Sequence, residues 1–106
     1  MTFKEYQGLA VTIPLSLRNN RDRINLPVRG LQEEAGKIGS RFAKGFASGK
    51  MRLTQQETSE LRDRLSDTLW YVALLCEETG LAMQDAAAHS IAQLQARNRE
   101  RDPDRR

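Results

Sequence analysis

Two stretches of this chain place carboxylates at helical spacing. The upstream stretch contains Glu33 and Glu34, and the downstream stretch contains Asp67. Carboxylates from facing helices are oxygen ligands for Mg²⁺, which also keeps several waters and the phosphates of a substrate. Divalent-metal binding is therefore one interpretation of the acids. Ion pairing between the two helices is the other, and the spacing alone favours it, because a solvated or paired helix face has the same acidic spacing.

Basic residues stand one helical turn from these acids. Lys37 follows the upstream pair and Arg64 precedes Asp67. Two acids and two bases at Glu34, Lys37, Arg64 and Asp67 give a formal sum of zero, and each nearby charge is worth on the order of 1 to 4 kcal/mol. A dication would thus lose most of its attraction to the site. As an alternative, the two bases would bind phosphate directly as cations.

A second acidic set begins one helical turn upstream. Glu60, Asp63 and Asp67 fall at i, i+3 and i+7, which is within roughly 60° of arc on a helix. Tyr71 continues the same line. These three acids are alternative ligands for a metal shifted along the helix.

Four helices are predicted to position these residues. The first carries Phe3 to Ile13 at helical spacing after a Thr2 cap, and Pro14 is expected to end it. The polar run from Ser16 to Asn25 is predicted to be a loop. The second helix is expected to follow an Asn25 cap, with Pro27 in its first turn, and to end near Phe46. Its predicted apolar face consists of Val28, Leu31, Ala35, Ile38 and Phe42.

The third helix has the clearest start. Thr54 and Glu57 form a capping-box pattern, and Gly80 is expected to end the helix. A fourth helix is predicted from about Ala82 to Asn98. The predicted apolar stripe of the third helix consists of Leu61, Leu65, Leu69, Val72 and Cys76.

Composition favours helices over strands. Of the 106 residues, 29% are charged and only 6% aromatic, as is typical of helical proteins. The predicted fold is an all-α, antiparallel bundle of about four helices, completed by oligomerisation because a chain of this length buries a modest core. Residues 1–98 are expected to form the helical domain, and residues 99–106 a charged, disordered tail.

Several partner classes are disfavoured. The net charge of +3 comes largely from a terminal group of arginines, which predicts a solvated end more than a nucleic-acid surface. The single cysteine, Cys76, excludes an intrachain disulfide and a thiol-based metal site. No apolar run approaches the roughly 20 residues that span a bilayer, and the start of the chain does not read as a signal peptide. A cytoplasmic protein is expected.

Three segments together resemble the MazG-like family of all-α nucleoside triphosphate pyrophosphohydrolases. Residues Thr2–Gln7 resemble the family's opening helix, and Gly30–Gly36 resemble its first acidic motif. Residues Asp67–Leu75 resemble the segment that follows its second acidic motif. The family pattern implies Mg²⁺ or Mn²⁺ held by E-E-x-x-E and E-x-x-D motifs, with cleavage of an NTP or dNTP to a monophosphate and pyrophosphate.

The resemblance assigns roles residue by residue. Glu33 and Glu34 match the paired glutamates and Asp67 matches the aspartate, whereas Lys37 and Arg64 stand where acids are expected. The nucleotide contacts that the family implies on the last helix fall on Ser90 and Gln93. Tyr71 is a further candidate for the cleft, because it lies in line with Asp67 on the helix. The family also implies a homodimer or homotetramer. Activity is expected to be impaired or lost, and a noncatalytic nucleotide-binding or regulatory module using Lys37 and Arg64 is the alternative.

Overall fold

The computed structural model describes residues 1–15, 17 and 19–101. Within these residues the regular structure is entirely helical, with no strand, which confirms the all-α prediction. A π-helical turn, Gly39–Ala43, joins α2 to α3 without a break. The α-helices are α1 (Phe3–Ala10), α2 (Asp22–Ile38), α3 (Lys44–Ala47), α4 (Gln55–Thr79) and α5 (Met83–Arg101).

Capping boxes start two of these helices. At α1, the Glu5 amide donates to the Thr2 hydroxyl at 3.1 Å, and the Thr2 amide donates to the Glu5 carboxylate. At α4, Thr54 and Glu57 make the same reciprocal pair. Each pair satisfies backbone donors that the first helical turn leaves without partners. The predicted caps at Thr2 and Thr54 are therefore confirmed.

Other helix boundaries differ from the prediction. Helix α1 ends at Ala10, before Ile13 and Pro14. Helix α2 begins at Asp22, because the Asn19 side chain accepts from the Arg21 amide at 2.9 Å and turns the chain into the helix. Asn25 is consequently not a cap. Pro27 lies in the sixth position of α2, with its ring fully buried.

The C-terminal boundaries follow simple capping rules. Helix α4 ends at Thr79, and Gly80 adopts a left-handed φ of 74° that glycine tolerates best. Helix α5 continues to Arg101, so residues 99–101 of the predicted tail are helical. Residues 102–106 lie outside the described residues. No helix in the described part of the chain combines the length and apolarity that a membrane crossing needs.

Helices α2 and α4 form an antiparallel pair at the centre of the fold. Arg23 near the start of α2 pairs with Glu78 near the end of α4, at 3.5 Å. Further along, Glu34 pairs with Arg64. Partners therefore descend along α4 as residue numbers rise along α2, which confirms the antiparallel arrangement of these two helices.

The buried face of α2 differs from the apolar face predicted. Pro27, Gly30 and Glu34 are its buried residues, whereas Val28 and Ala35 are exposed. The rest of the predicted face is not exposed: Leu31 and Ile38 are half-buried, and Phe42, in the π-helical turn, is buried. The helix is therefore rotated only in part from the predicted face, so that the Glu34 carboxylate faces α4. On α4 the predicted stripe is likewise incomplete. Leu65 and Leu69 are 49% and 42% exposed, and only the end of that stripe is buried, at Cys76.

A small core lies where α1, α4 and α5 meet. It consists of Ala10, Ala73, Cys76 and Met83, with Tyr6, Trp70 and Val72 packed against it. The Trp70 indole donates to the Ala10 carbonyl at 3.2 Å, so Trp70 packs against the core as predicted. Gln7 ties the three helices together: its amide donates to the Leu81 carbonyl and accepts from the Met83 amide.

Gly30 allows α2 to approach α4 closely. A Cβ at this position would lie 2.5 Å from the Cε1 and Cε2 atoms of Tyr71, which is well inside contact distance. Gly36, two turns along the same helix, has no neighbour within 4 Å of an added Cβ. Tyr71 thus packs directly on the backbone of α2.

These two glycines give a matched pair of substitutions. Gly36→Ala should raise the free energy of unfolding by about 1 kcal/mol through helix propensity. The free energy of unfolding of Gly30→Ala should be at least about 1 kcal/mol lower than that of Gly36→Ala, because the Tyr71 ring must move to make room for the new Cβ. Urea unfolding followed by circular dichroism measures the difference.

Adding Tyr71→Ala provides the control for this prediction. The gap between the two alanine variants should close when the ring is removed. A Gly30→Ala variant as stable as Gly36→Ala in the otherwise natural chain would show that the close approach is absent.

Candidate functional site

The predicted acids and bases meet at a buried carboxylate. Glu34 is 3% exposed, and both of its oxygens accept from Arg64 Nη1, at 3.2 and 3.3 Å. Lys37 Nζ lies 3.6 Å from Glu34 Oε1. We call these three residues the Glu34 cluster. It carries two cations and one anion, with the anion at its centre.

The Glu34 cluster does not fit a divalent cation. Both oxygens of Glu34 already face Arg64, and a metal there would meet two positive charges at close range. Burying a carboxylate requires a paired or hydrogen-bonded partner, and Arg64 supplies it. Lys37 and Arg64 therefore neutralise the charge of Glu34.

The other predicted metal ligands are exposed and separate. Glu33 and Asp67 are both exposed, as is Asp63. Asp67 lies near the phenols of Tyr6 and Tyr71. The pKa of each phenol is raised mainly by burial, and the negative charge of Asp67 raises it further. Within the described ranges, no three acidic, histidine or cysteine side chains come together as a metal site.

Glu60 belongs to a second group of charges. We call Arg41, Lys50, Glu57 and Glu60 the Glu57 cluster. Arg41 Nε donates to Glu60 at 2.9 Å, and Arg41 Nη1 lies 3.6 Å from Glu57. Glu60 also accepts from Gln56. The shifted set of Glu60, Asp63 and Asp67 is therefore not assembled, because Glu60 is engaged with the π-helical turn.

Glu57 holds the connection between α3 and α4. Lys50 Nζ donates to both of its oxygens, at 2.5 and 2.6 Å, while the Thr54 amide donates to one of them at 3.0 Å. The hydrogen bond from Lys50, followed by that from the Thr54 backbone, lowers the pKa of Glu57 from the usual 4.5 to about 2. The same carboxylate thus caps a helix and anchors a loop.

A polar cavity of about 330 Å³ opens beside Tyr71. One stripe of α2 forms most of its wall, and the Tyr71 ring closes it over Gly30. Burial raises the pKa of Tyr71 first, followed by the charges of Glu34, Asp67 and Glu33. We call this space the Tyr71 cavity; it is lined by Asp22, Asn25, Leu26, Arg29, Gly30, Glu33 and Tyr71.

The two predicted contacts on the last helix are not part of this site. Ser90 and Gln93 are exposed on α5, and α5 packs through its first residue, Met83, near α1. Of the predicted site residues, the structure brings Glu34, Lys37 and Arg64 together. It sets Glu33 and Tyr71 at the adjoining cavity.

Several residues of these sites had no functional signal in the sequence. Asp22 was hidden because residues 16–25 read as a loop, and Asn25 was assigned only as a cap. Arg29 lies inside the predicted second helix, where a single exposed arginine carries no functional signal. Lys50 is seven residues from Glu57 across an irregular segment, so no helical spacing predicts the pair. The capping box was the one visible signal for Glu57.

No family model matches this chain, and no solved structure matches it. A curated protein that is similar to it is the Gene 37 protein of Mycobacterium phage L5, with 29% identity over 68 residues. The matched segment covers 64% of this chain and 60% of the phage protein, which is less than two thirds of either. The name of that protein states no activity. The MazG-like resemblance therefore stays a prediction.

The low pKa of Glu57 predicts a pH dependence of stability. A carboxyl group with a lowered pKa in the folded state stabilises it fully above its usual pKa near 4.5, and this contribution is lost as the pH falls toward about 2. Glu57→Gln should therefore be less stable than the natural chain by a constant amount above pH 5.5. The difference should shrink between pH 4.5 and 2 in urea unfolding.

Asp63→Asn is the matched control. Asp63 is an exposed acid on the same helix, so its variant should follow the natural chain across this pH range. A Glu57→Gln profile parallel to the natural profile at every pH would contradict the role given to Glu57.

Proposed function

We propose that this chain is a MazG-like helical module that binds nucleotides through its bases and does not hydrolyse them. The Glu34 cluster carries the proposal. The carboxylate that matches the family's metal ligand is buried between Arg64 and Lys37, and both bases keep solvent-facing surface. Arg64 is 33% exposed and Lys37 is 54% exposed.

The cluster has the charge and the free hydrogen-bond donors to hold a phosphate. Its net charge is +1, and Arg64 uses Nη1 for Glu34, so the guanidinium keeps further N–H donors for an anion. Guanidinium and ammonium groups are the side chains that bind phosphate with charge-assisted hydrogen bonds. Lys37 supplies a second positive charge beside the Arg64 guanidinium.

The Tyr71 cavity offers a place for the rest of a nucleotide. On α4, Tyr71 lies seven residues after Arg64, which is about 10 Å along a helix. On α2, Gly30 lies seven residues before Lys37, which is also about 10 Å along the helix. Because the two helices are antiparallel, both separations run in the same direction in space. The cavity and the cluster are thus neighbours along one antiparallel helix pair. A nucleotide with its phosphate at the cluster would therefore place its base at the cavity.

A panel of NTPs and dNTPs, each incubated with Mg²⁺ or Mn²⁺, tests whether the chain hydrolyses nucleotides. We expect no pyrophosphate release, and saturable nucleotide binding in the absence of metal. Glu34→Gln should tighten binding about tenfold, since it removes the anion that competes for Arg64 and Lys37. An active metal enzyme would instead lose activity when Glu34 is replaced.

The binding residues are tested in the Glu34→Gln background, which avoids leaving a buried carboxylate without a partner. Adding Arg64→Gln and Lys37→Gln should abolish binding. Adding Arg62→Gln, an exposed arginine on the same helix, should not. Pyrophosphate release by the natural chain that disappears in Asp67→Asn would overturn the noncatalytic proposal.

We also propose that the helices are completed by further copies of the chain. The described residues bury six hydrophobic side chains, and the radius of gyration is 17.0 Å, against roughly 13 Å for a compact chain of this length. Helix α5 exposes Ile91 and Leu94 on one stripe, at 56% and 53%. Exposed apolar stripes of this kind are typical of helix interfaces.

Light scattering after size exclusion should give two or four times the chain mass of 12.0 kDa. Ile91→Glu with Leu94→Glu should produce the monomer, because it places charge on the apolar stripe. His89→Glu with Gln93→Glu, on the opposite side of α5, is the matched control and should keep the assembly. A monomeric natural chain would refute the proposal of association.

A further inference from the structure

The Tyr71 cavity contains charges that the proposed phosphate site does not use. Arg29, Glu33 and Lys37 follow one another at i, i+4 and i+8, and so form one stripe along α2. Lys37 belongs to the Glu34 cluster, whereas Arg29 and Glu33 line the cavity. The stripe therefore continues from the phosphate site into the cavity.

Arg29 and Glu33 carry opposite charges but do not form an ion pair with each other. Residues at i and i+4 on a helix are close enough to pair, yet neither residue makes an ion pair or hydrogen bond with the described residues. Both residues are exposed and line the same cavity, beside the Tyr71 ring that covers Gly30. A fork of donors and a pair of acceptors thus face one space next to an aromatic ring.

These groups match the edges of one nucleobase. Guanine presents two adjacent acceptors, N7 and O6, to which arginine donates in a bidentate manner. Its neighbouring N1–H and N2–H₂ groups are two adjacent donors, and a carboxylate accepts from both. Adenine places an acceptor beside its amino group, and cytosine has one amino donor, so neither complements both Arg29 and Glu33.

We propose that the Tyr71 cavity recognises guanine, with Glu33 accepting from N1–H and N2–H₂, Arg29 donating to O6 and N7, and Tyr71 against the base. This inference rests on the proposed function, because it specifies the nucleotide whose phosphate contacts Lys37 and Arg64. Lys37 lies four residues past Glu33, about 6 Å along the axis. The ribose would bridge that interval.

Calorimetric titration with GMP, IMP and AMP tests the assignment. IMP keeps O6 and N7 but lacks the exocyclic amine, so GMP should bind about tenfold more tightly than IMP. AMP should bind more weakly than both. Glu33→Gln should remove the difference between GMP and IMP. Arg29→Gln should weaken both equally and keep their ratio, because both bases present O6 and N7.

Glu100→Gln, an exposed acid on α5, is the matched control and should preserve the ratio. Circular dichroism establishes that each variant is folded. Equal affinities for GMP, IMP and AMP would overturn the guanine assignment while leaving phosphate binding by the Glu34 cluster intact. GMP binding that needs Glu33 but is unchanged in Lys37→Gln would support the base site and overturn the phosphate contact. Absence of binding by every nucleotide and by guanosine would overturn both.

Discussion

The buried carboxylate of Glu34 is the interaction on which the central helix pair depends. A carboxylate that is 3% exposed requires a compensating charge, and Arg64 provides it from the facing helix at 3.2 Å. This requirement fixes both the rotation of α2 and the register between α2 and α4. Gly30 and Tyr71 then fall opposite each other two turns from Arg64, and the cavity beside Tyr71 follows from that register.

The same ion pair connects the fold to its proposed function. An apolar residue at position 34 would pack against α4 without demanding a base at 64, and the helix pair would lose its positive site. Conversely, acids at positions 37 and 64 would surround Glu34 with negative charge and make the pair dependent on a cation. The chain has the arrangement in which protein side chains supply the positive charge, so α2 and α4 are held together by the residues that are proposed to bind phosphate.

Sequence patterns predicted the features that depend on neighbouring residues. The N-cap at Thr2 and the capping box at Thr54 act over three residues and were found correctly, as was the end of α4 at Gly80. The pairing of acids and bases was one of the stated alternatives. The buried face of α2 was predicted only in part, because periodicity assigns apolar residues to the interior, whereas Glu34 is buried against a charged partner thirty positions away. The start of α2 was missed because the Asn19 turn resembles a loop.

The π-helical turn rotates the two ends of the long α2–α3 helix relative to each other about the helix axis. A π turn accommodates one residue more than the α-helical repeat, so residues after Ala43 are displaced around the axis relative to those before Gly39. Helix α2 is oriented by Glu34, whereas Arg41 and the loop at Lys50 are oriented by Glu57 and Glu60. The extra residue lets both sets of contacts be satisfied at once. A change of one residue in the chain length of residues 39–43 would therefore rotate one set of contacts away from α4, even if every side chain in those contacts were kept.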